Sequence, residues 1–166
     1  MNRNLFLQVI ILGLVLFSCQ QNSEKEIFIL PYNYEGVVII LFNEKNGAKV
    51  VYKDDYRLYQ IPNNGVLKTQ FTPNDGILLN PNKNSVFYQQ DSLGHLEQLK
   101  VNWNNKKSNN SSKMINYQKR GERNGVDYFQ FIVSIPIKSD SFIIENSFKE
   151  KEWFDSITGY NPRIPQ

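Results

Sequence analysis

His95 is the single histidine and Cys19 the single cysteine of this 166-residue chain, and those two counts bound its chemistry. A Ser-His-Asp triad would have to use His95 as its base, yet no Gly-x-Ser-x-Gly elbow marks a nucleophile. A histidine at a hairpin edge, with no chemical role, is the plainer reading. One thiol builds neither a disulfide nor a thiolate zinc site, and one imidazole excludes a multi-histidine metal centre. Asp54-Asp55 comes nearest to a carboxylate calcium loop, but two adjacent acids more often make a solvated turn. The paired carboxylates of a glycoside hydrolase assemble only in space, and a domain this small leaves little room for a sugar cleft. The residue types therefore point to a non-enzyme that carries no cofactor and no metal.

Binding chemistry is better represented. Lys106, Lys107, Lys113, Lys119, Arg120 and Arg123 gather positive charge in one stretch. Such a surface suits an anionic glycan or lipopolysaccharide. The alternative is a solvated loop and a lysine-protected edge strand. Lys106, Lys107, Arg120 and Arg123 are the candidate partner-binding residues, and none of them is expected in the core. The formal net charge of +3 falls by one if Arg3 is removed, too little for phosphate-backbone binding, so nucleic acid is not an expected partner. Asp91-Ser92-Leu93 and Asp155-Ser156-Ile157 both resemble the Asp-Ser/Thr-aliphatic acceptor of bacterial O-glycosylation. Only the first falls in an expected loop, which makes Ser92 the candidate.

The N-terminus reads as a leader. Met1 to Asn4 carries Arg3, Leu5 to Phe17 is apolar except for Gln8, and Ser18 precedes Cys19. An apolar stretch of about 13 residues falls short of the roughly 20 that span a bilayer, so residues 1–18 read as a cleaved signal peptide. Leu16-Phe17-Ser18-Cys19 resembles the lipobox of bacterial lipoproteins, with Phe17 where a small residue is usual. The resemblance implies that Cys19 becomes the acylated first residue, bearing diacylglycerol and an N-acyl chain of the palmitate type, which would hold the protein on its membrane. Residues 19–26 then form a polar tether. Gln20 stands where an Asp retains some lipoproteins in the inner membrane, which favours the outer membrane. Gln20 to Glu26 is also similar to the tether that exports some Bacteroidota lipoproteins to the cell surface, so the periplasmic and surface faces both stay open.

Elements that could position these residues begin after the tether, and residues 27–166 read as a single β-rich domain. The chain is 40% hydrophobic and 13% aromatic, a composition that folds. Strands are expected at Ile27–Leu30, Gly36–Phe42, Ala48–Tyr52, Tyr56–Ile61, Val66–Phe71, Ser85–Gln90, His95–Trp103, Met114–Lys119 and Val126–Ser134. The β-branched run Val37 to Leu41 suits a strand buried on both faces. Asn64-Gly65 predicts a hairpin between Tyr56–Ile61 and Val66–Phe71. A second hairpin is predicted around Asp91 to Gly94, and a third across Gly121 to Gly125. Asn104 to Lys113 reads as a polar loop. One helix is expected from Ser147, capped with Glu150 and closed at Gly159, its stripe of Trp153, Phe154 and Ile157 covering a sheet face or edge. The predicted fold is an antiparallel β-sandwich, transthyretin-like or immunoglobulin-like, with one short C-terminal helix.

Leu30-Pro31-Tyr32-Asn33-Tyr34-Glu35-Gly36 with Val37 to Phe42, followed by Tyr59 to Thr69, resembles a family of small bacterial lipoproteins built on a domain of unknown function. The same stretches are similar to transthyretin-like and carboxypeptidase-regulatory-like sandwich modules, which are commonly non-catalytic. Neither resemblance supplies functional residues. The combined reading is a non-enzymatic envelope lipoprotein that binds a protein or glycan partner. The alternative is a small inhibitor or immunity lipoprotein directed at an envelope hydrolase or toxin.

Overall fold

Short aromatic and β-branched runs become nine strands among the described residues, as their packing preferences require. They are β1 (Lys25–Leu30), β2 (Gly36–Leu41), β3 (Tyr52–Lys53), β4 (Tyr56–Gln60), β5 (Val66–Lys68), β6 (Ser85–Gln90), β7 (Leu96–Val101), β8 (Met114–Arg123) and β9 (Val126–Ser134). This is a computed structural model, and it describes residues 23–74, 84–102, 112–135 and 154–158. Cys19, Lys106, Lys107 and most of the expected helix lie outside those residues.

The strands form one mixed sheet in the order β3-β4-β1-β6-β7-β8-β9-β2-β5. Four neighbouring pairs are parallel: β1 with β4, β1 with β6, β2 with β5, and β7 with β8. The expected all-antiparallel sandwich is corrected accordingly. In place of two stacked sheets, one sheet curls until its inner face meets itself. Phe28 on β1 stacks on Tyr59 and Phe87 of the flanking strands, with ring centroids 4.9 and 4.7 Å apart. It also touches Phe129 and Phe131 of β9, at 5.5 and 5.7 Å. In a flat sheet β1 and β9 would stand about 19 Å apart, four strand spacings of roughly 4.8 Å each. Aromatic contact across that gap requires a half-barrel, and each such pair adds about 0.5–1.5 kcal/mol beyond its burial.

The two edges of the sheet are joined by one segment. Ala48 pairs with Thr69 just beyond β5, donating to the Lys68 carbonyl and accepting from the Gln70 amide. A few residues later Val51 accepts from Leu58, and β3 pairs with β4 at the opposite edge. Residues 48–53 therefore form a seam between the edges.

The outer face of β2 is covered too. Val38 and Ile40 point into the main core, whereas Ile39 and Leu41 pack with Tyr128 and Phe154. The double-sided burial expected of this strand is present, and residues 154–158 are helical, with Phe154 seated against β2 and β9.

Three expected boundaries move. Lys25 and Glu26, assigned to the tether, begin β1. Asn64-Gly65 does turn the chain, with Gly65 at φ +74°, but β4 and β5 go to opposite ends of the sheet order and do not pair. β8 runs through Gly121 to Arg123, and its hairpin with β9 turns only at Asn124 and Gly125, both at positive φ.

Pairing directions place the start of β1 at the same end as the starts of β4, β6 and β9 and the finishes of β2, β3, β5, β7 and β8. This is the tether end. The opposite, far end carries the turns at 31–35 and 61–65, the β6–β7 hairpin and the entry to β8.

Candidate functional site

At the tether end, register sets Tyr52, Arg57, Glu26 and Ser85 in a row across β3, β4, β1 and β6. Glu26 is 1% exposed. Its carboxylate accepts from Ser85 Oγ at 3.2 Å, Tyr59 Oη at 3.4 Å and Arg120 Nη2 at 2.5 Å. The Arg120 guanidinium lies 4.1 Å over the Phe129 ring. Burial, and after it the negative charge of Glu26, pushes the Tyr59 phenol well above its ordinary pKa, so it stays a proton donor. Arg57 pairs with Glu24 through Nε and donates from Nη1 to the Thr72 carbonyl at 2.6 Å. Asn74 holds the Glu24 backbone from both sides, accepting from its amide and donating to its carbonyl, each at 2.9 Å. Apart from Arg120 Nη1, which is buried with no hydrogen-bond partner among the described residues, these groups are committed to one another, and the cluster pins the first described residues to the barrel.

At the far end the sheet opens. β7 meets β8 only through Lys100–Met114 and Val101–Ile115, so Leu96 to Leu99 lie beyond the end of β8. The turn at 31–34 and the entry to β8 frame a cleft of about 410 Å³, lined by Asn33, Gln89, Glu97, Gln98, Leu99, Lys100, Ser112, Lys113 and Met114. Lys113 Nζ donates to the Asn33 carbonyl and side-chain oxygens at 3.1 and 2.6 Å, and Gln89 Nε2 to the Tyr34 carbonyl at 3.0 Å. Tyr34 in turn donates to the Val37 carbonyl at 2.6 Å, and burial pushes its phenol up to about 12. The turn is therefore rigidly held, while Glu97, Gln98 and Lys100 on the opposite wall are exposed. A second cleft of about 490 Å³ continues along β6 and β7 and shares Gln98, Leu99 and Lys100. Amides, a carboxylate and an ammonium in one groove suit a polar, hydrogen-bonding ligand.

The β6–β7 hairpin tip stands beside this opening. Asp91 accepts from the Leu93 and His95 amides, both at 2.8 Å, and contacts the His95 ring at 2.9 Å. The His95 ring, with those amides and that of Gly94, holds the Asp91 carboxyl below its usual range. His95 thus works as a turn lock, with its side chain 75% exposed. Ser92 is exposed, and Leu93 beside it is 79% exposed.

Of the candidate partner-binding cations, Arg120 and Arg123 fall among the described residues, and they have different surroundings. Arg120 faces inward to Glu26, contrary to the expectation that it lies outside the core. Arg123 stacks 5.5 Å from the Phe154 ring, and Lys119 lies 5.7 Å from that of Tyr128. Asp54 and Asp55, both at positive φ, form the tight β3–β4 turn. Glu26 and Arg57 were not anticipated, although strand parity was a usable signal: Glu26 alternates with Phe28 and Leu30, and Arg57 with Tyr59 and Ile61. Among the described residues no three His, Cys, Asp or Glu side chains are close enough to hold a metal ion.

A family of unknown function, DUF6843, matches residues 22–133. That span takes in Leu30 to Phe42 and Tyr59 to Thr69, the stretches that resemble a lipoprotein family of unknown function. No curated protein matches in sequence. Among solved structures, a candidate lipoprotein from Bacillus anthracis is similar at 13% identity, over 69% of this chain and 71% of its own, with a TM-score of 0.48.

Proposed function

We propose that this chain, which belongs to the family of unknown function DUF6843, is a cell-envelope lipoprotein whose domain holds a partner at the end farthest from its lipid. Strand polarity is the observation that carries this reading. β1 enters at the tether end, a few residues after Cys19, and the open polar cleft lies where β1, β4 and β6 finish. The leader and its Leu16-Phe17-Ser18-Cys19 boundary support acylation of Cys19. Gln20 favours the outer membrane over the inner. The partner is polar, a protein segment or a glycan, and the role is binding without catalysis.

The test is a photo-crosslinking residue at Gln98 in whole cells, compared with one at Lys25, followed by mass spectrometry. Specific capture from Gln98 alone is expected. Capture from neither position would remove the binding role, and capture of a hydrolase or toxin would make the protein an inhibitor. Membrane fractionation by density reads the compartment, and a fully soluble, unacylated mature protein would end the lipoprotein assignment.

A further inference from the structure

The seam at residues 48–53 stays about half exposed even where Tyr52 packs its ring on Phe71 at 5.4 Å. Neighbouring residues of an extended chain point in opposite directions, so one of each pair is normally covered. Here Val50, Val51 and Tyr52 are 45, 48 and 51% exposed, and they account for three of the six large hydrophobic side chains exposed among the described residues. The other three, Tyr32, Leu93 and Leu96, belong to the far end.

The position of this patch names its occupant. Tyr52 Oη donates to the Glu24 carboxylate at 3.3 Å, which places it beside the point where the tether enters the barrel. Asn84 and Asn74 hold Ser23 and Glu24 in place, so Ser23 is already part of the barrel. Three residues separate Cys19 from Ser23, and the four extended steps between them reach about 14 Å. An acylated Cys19 keeps the tether end within that distance of the headgroups. Charge is complementary as well. Lys45, Lys49, Lys53 and Lys25 are exposed around the valines. Register sets Lys53, Tyr56 and Lys25 in a line across β3, β4 and β1. Asp54 and Asp55 occupy the turn beyond them, and the Glu24 charge is met by Arg57. Aliphatic side chains flanked by tyrosine and lysine are the composition that settles at a bilayer interface, with apolar groups below the headgroups and ammonium groups on anionic lipid.

We infer that residues 48–53 dock on the membrane that carries the lipid anchor. The inference rests on the lipoprotein reading. It is tested with the mature acylated protein in vesicles of phosphatidylethanolamine and phosphatidylglycerol. Acylation consumes the only native thiol, so Val50→Cys and, separately, Leu93→Cys each offer one site for a nitroxide label. Oxygen should relax the Val50 label more than an aqueous nickel chelate does, and the order should reverse at Leu93. The mass of the N-terminal peptide reads acylation independently. An acylated, vesicle-bound protein with both labels in water overturns the docking and leaves the anchor standing. An unacylated protein overturns the anchor and the docking together. Spin-spin broadening at Val50 would assign the patch to a second copy of the chain instead.

Discussion

Glu24, Glu26, Arg57 and Arg120 bring four charges into or against the core at the tether end, whereas the far end holds its turns with Gln89, Lys113, Tyr34 and Asp91, mostly through backbone carbonyls and amides. The contacts also differ in range. Arg120 reaches Glu26 across 94 positions of sequence, and the Asp91–His95 lock spans four. A buried charge left unpaired is costly, so the tether end tolerates little change. Exposed hydrogen bonds exchange with water at small net cost, so the far end can vary its surface while keeping its shape.

The largest effect should come from splitting the buried pair. Arg120→Met leaves the Glu26 carboxylate without its cation and should lower stability by about 3–5 kcal/mol in urea titration. Glu26→Leu combined with Arg120→Met should recover most of that loss. A double variant as unstable as the single one would show that the tether end depends on more than this charge balance. Next comes Gly65, at φ +74°, where a Cβ would sit 2.6 Å from the Val37 carbonyl and closer still to the Tyr34 hydroxyl. Gly65→Ala should cost about 1–3 kcal/mol in strain, read as a drop in thermal midpoint.

Alkaline pH offers a smaller, graded effect at the far end. Burial raises the Tyr34 phenol from about 10 in the unfolded chain to about 12. The unfolded chain therefore loses its proton first. This contribution to stability is whole below pH 10 and is lost as pH rises through the folded value. Tyr34→Phe should make the fall over that window shallower without abolishing it, since the raised Tyr59 phenol loses its contribution there too, and an unchanged pH dependence would assign the fall to other groups. The smallest effect on folding should follow Ser92→Ala, because Ser92 is exposed at the hairpin tip. Intact-mass measurement of native protein should show added hexoses that vanish in this variant while its melting curve stays put. An unmodified wild-type mass would remove Ser92 as a glycosylation site.

Strand positions were legible because alternation and turn residues are local signals. Val37 to Leu41 read correctly as a strand covered on both faces, and Asp91 to Gly94 as a hairpin. Partners were not legible. Asn64-Gly65 announces a reversal of the chain, but a reversal does not say that the flanking strands pair, and here they part to distant places in the sheet. Glu26 looked like tether because Lys25-Glu26 is charged, and the cation that makes its burial affordable arrives from β8. Arg120 was expected outside the core with the other cations of the basic stretch, just past the strand Met114–Lys119; β8 instead runs on to Arg123, and an irregularity between Asn116 and Gln118 sets Arg120 on the inner face opposite Phe129. A binding test that replaces Arg120 together with Lys106, Lys107 and Arg123 would therefore confuse lost contact with lost folding.

β1 receives the tether and sits between two strands that run in its own direction. Its ladders match Lys25–Ile29 with Tyr56–Gln60 on one side and Glu26–Leu30 with Ser85–Gln89 on the other. A pull arriving through Ser23 runs along the strand axis, so it loads both ladders in shear and their hydrogen bonds resist together. A tether joined to an edge strand from the side would instead peel its bonds one after another. Unfolding under force follows the rate of crossing the unfolding barrier. On the proposed reading, drag on a partner bound at the far end would reach the membrane through the strand best placed to bear it.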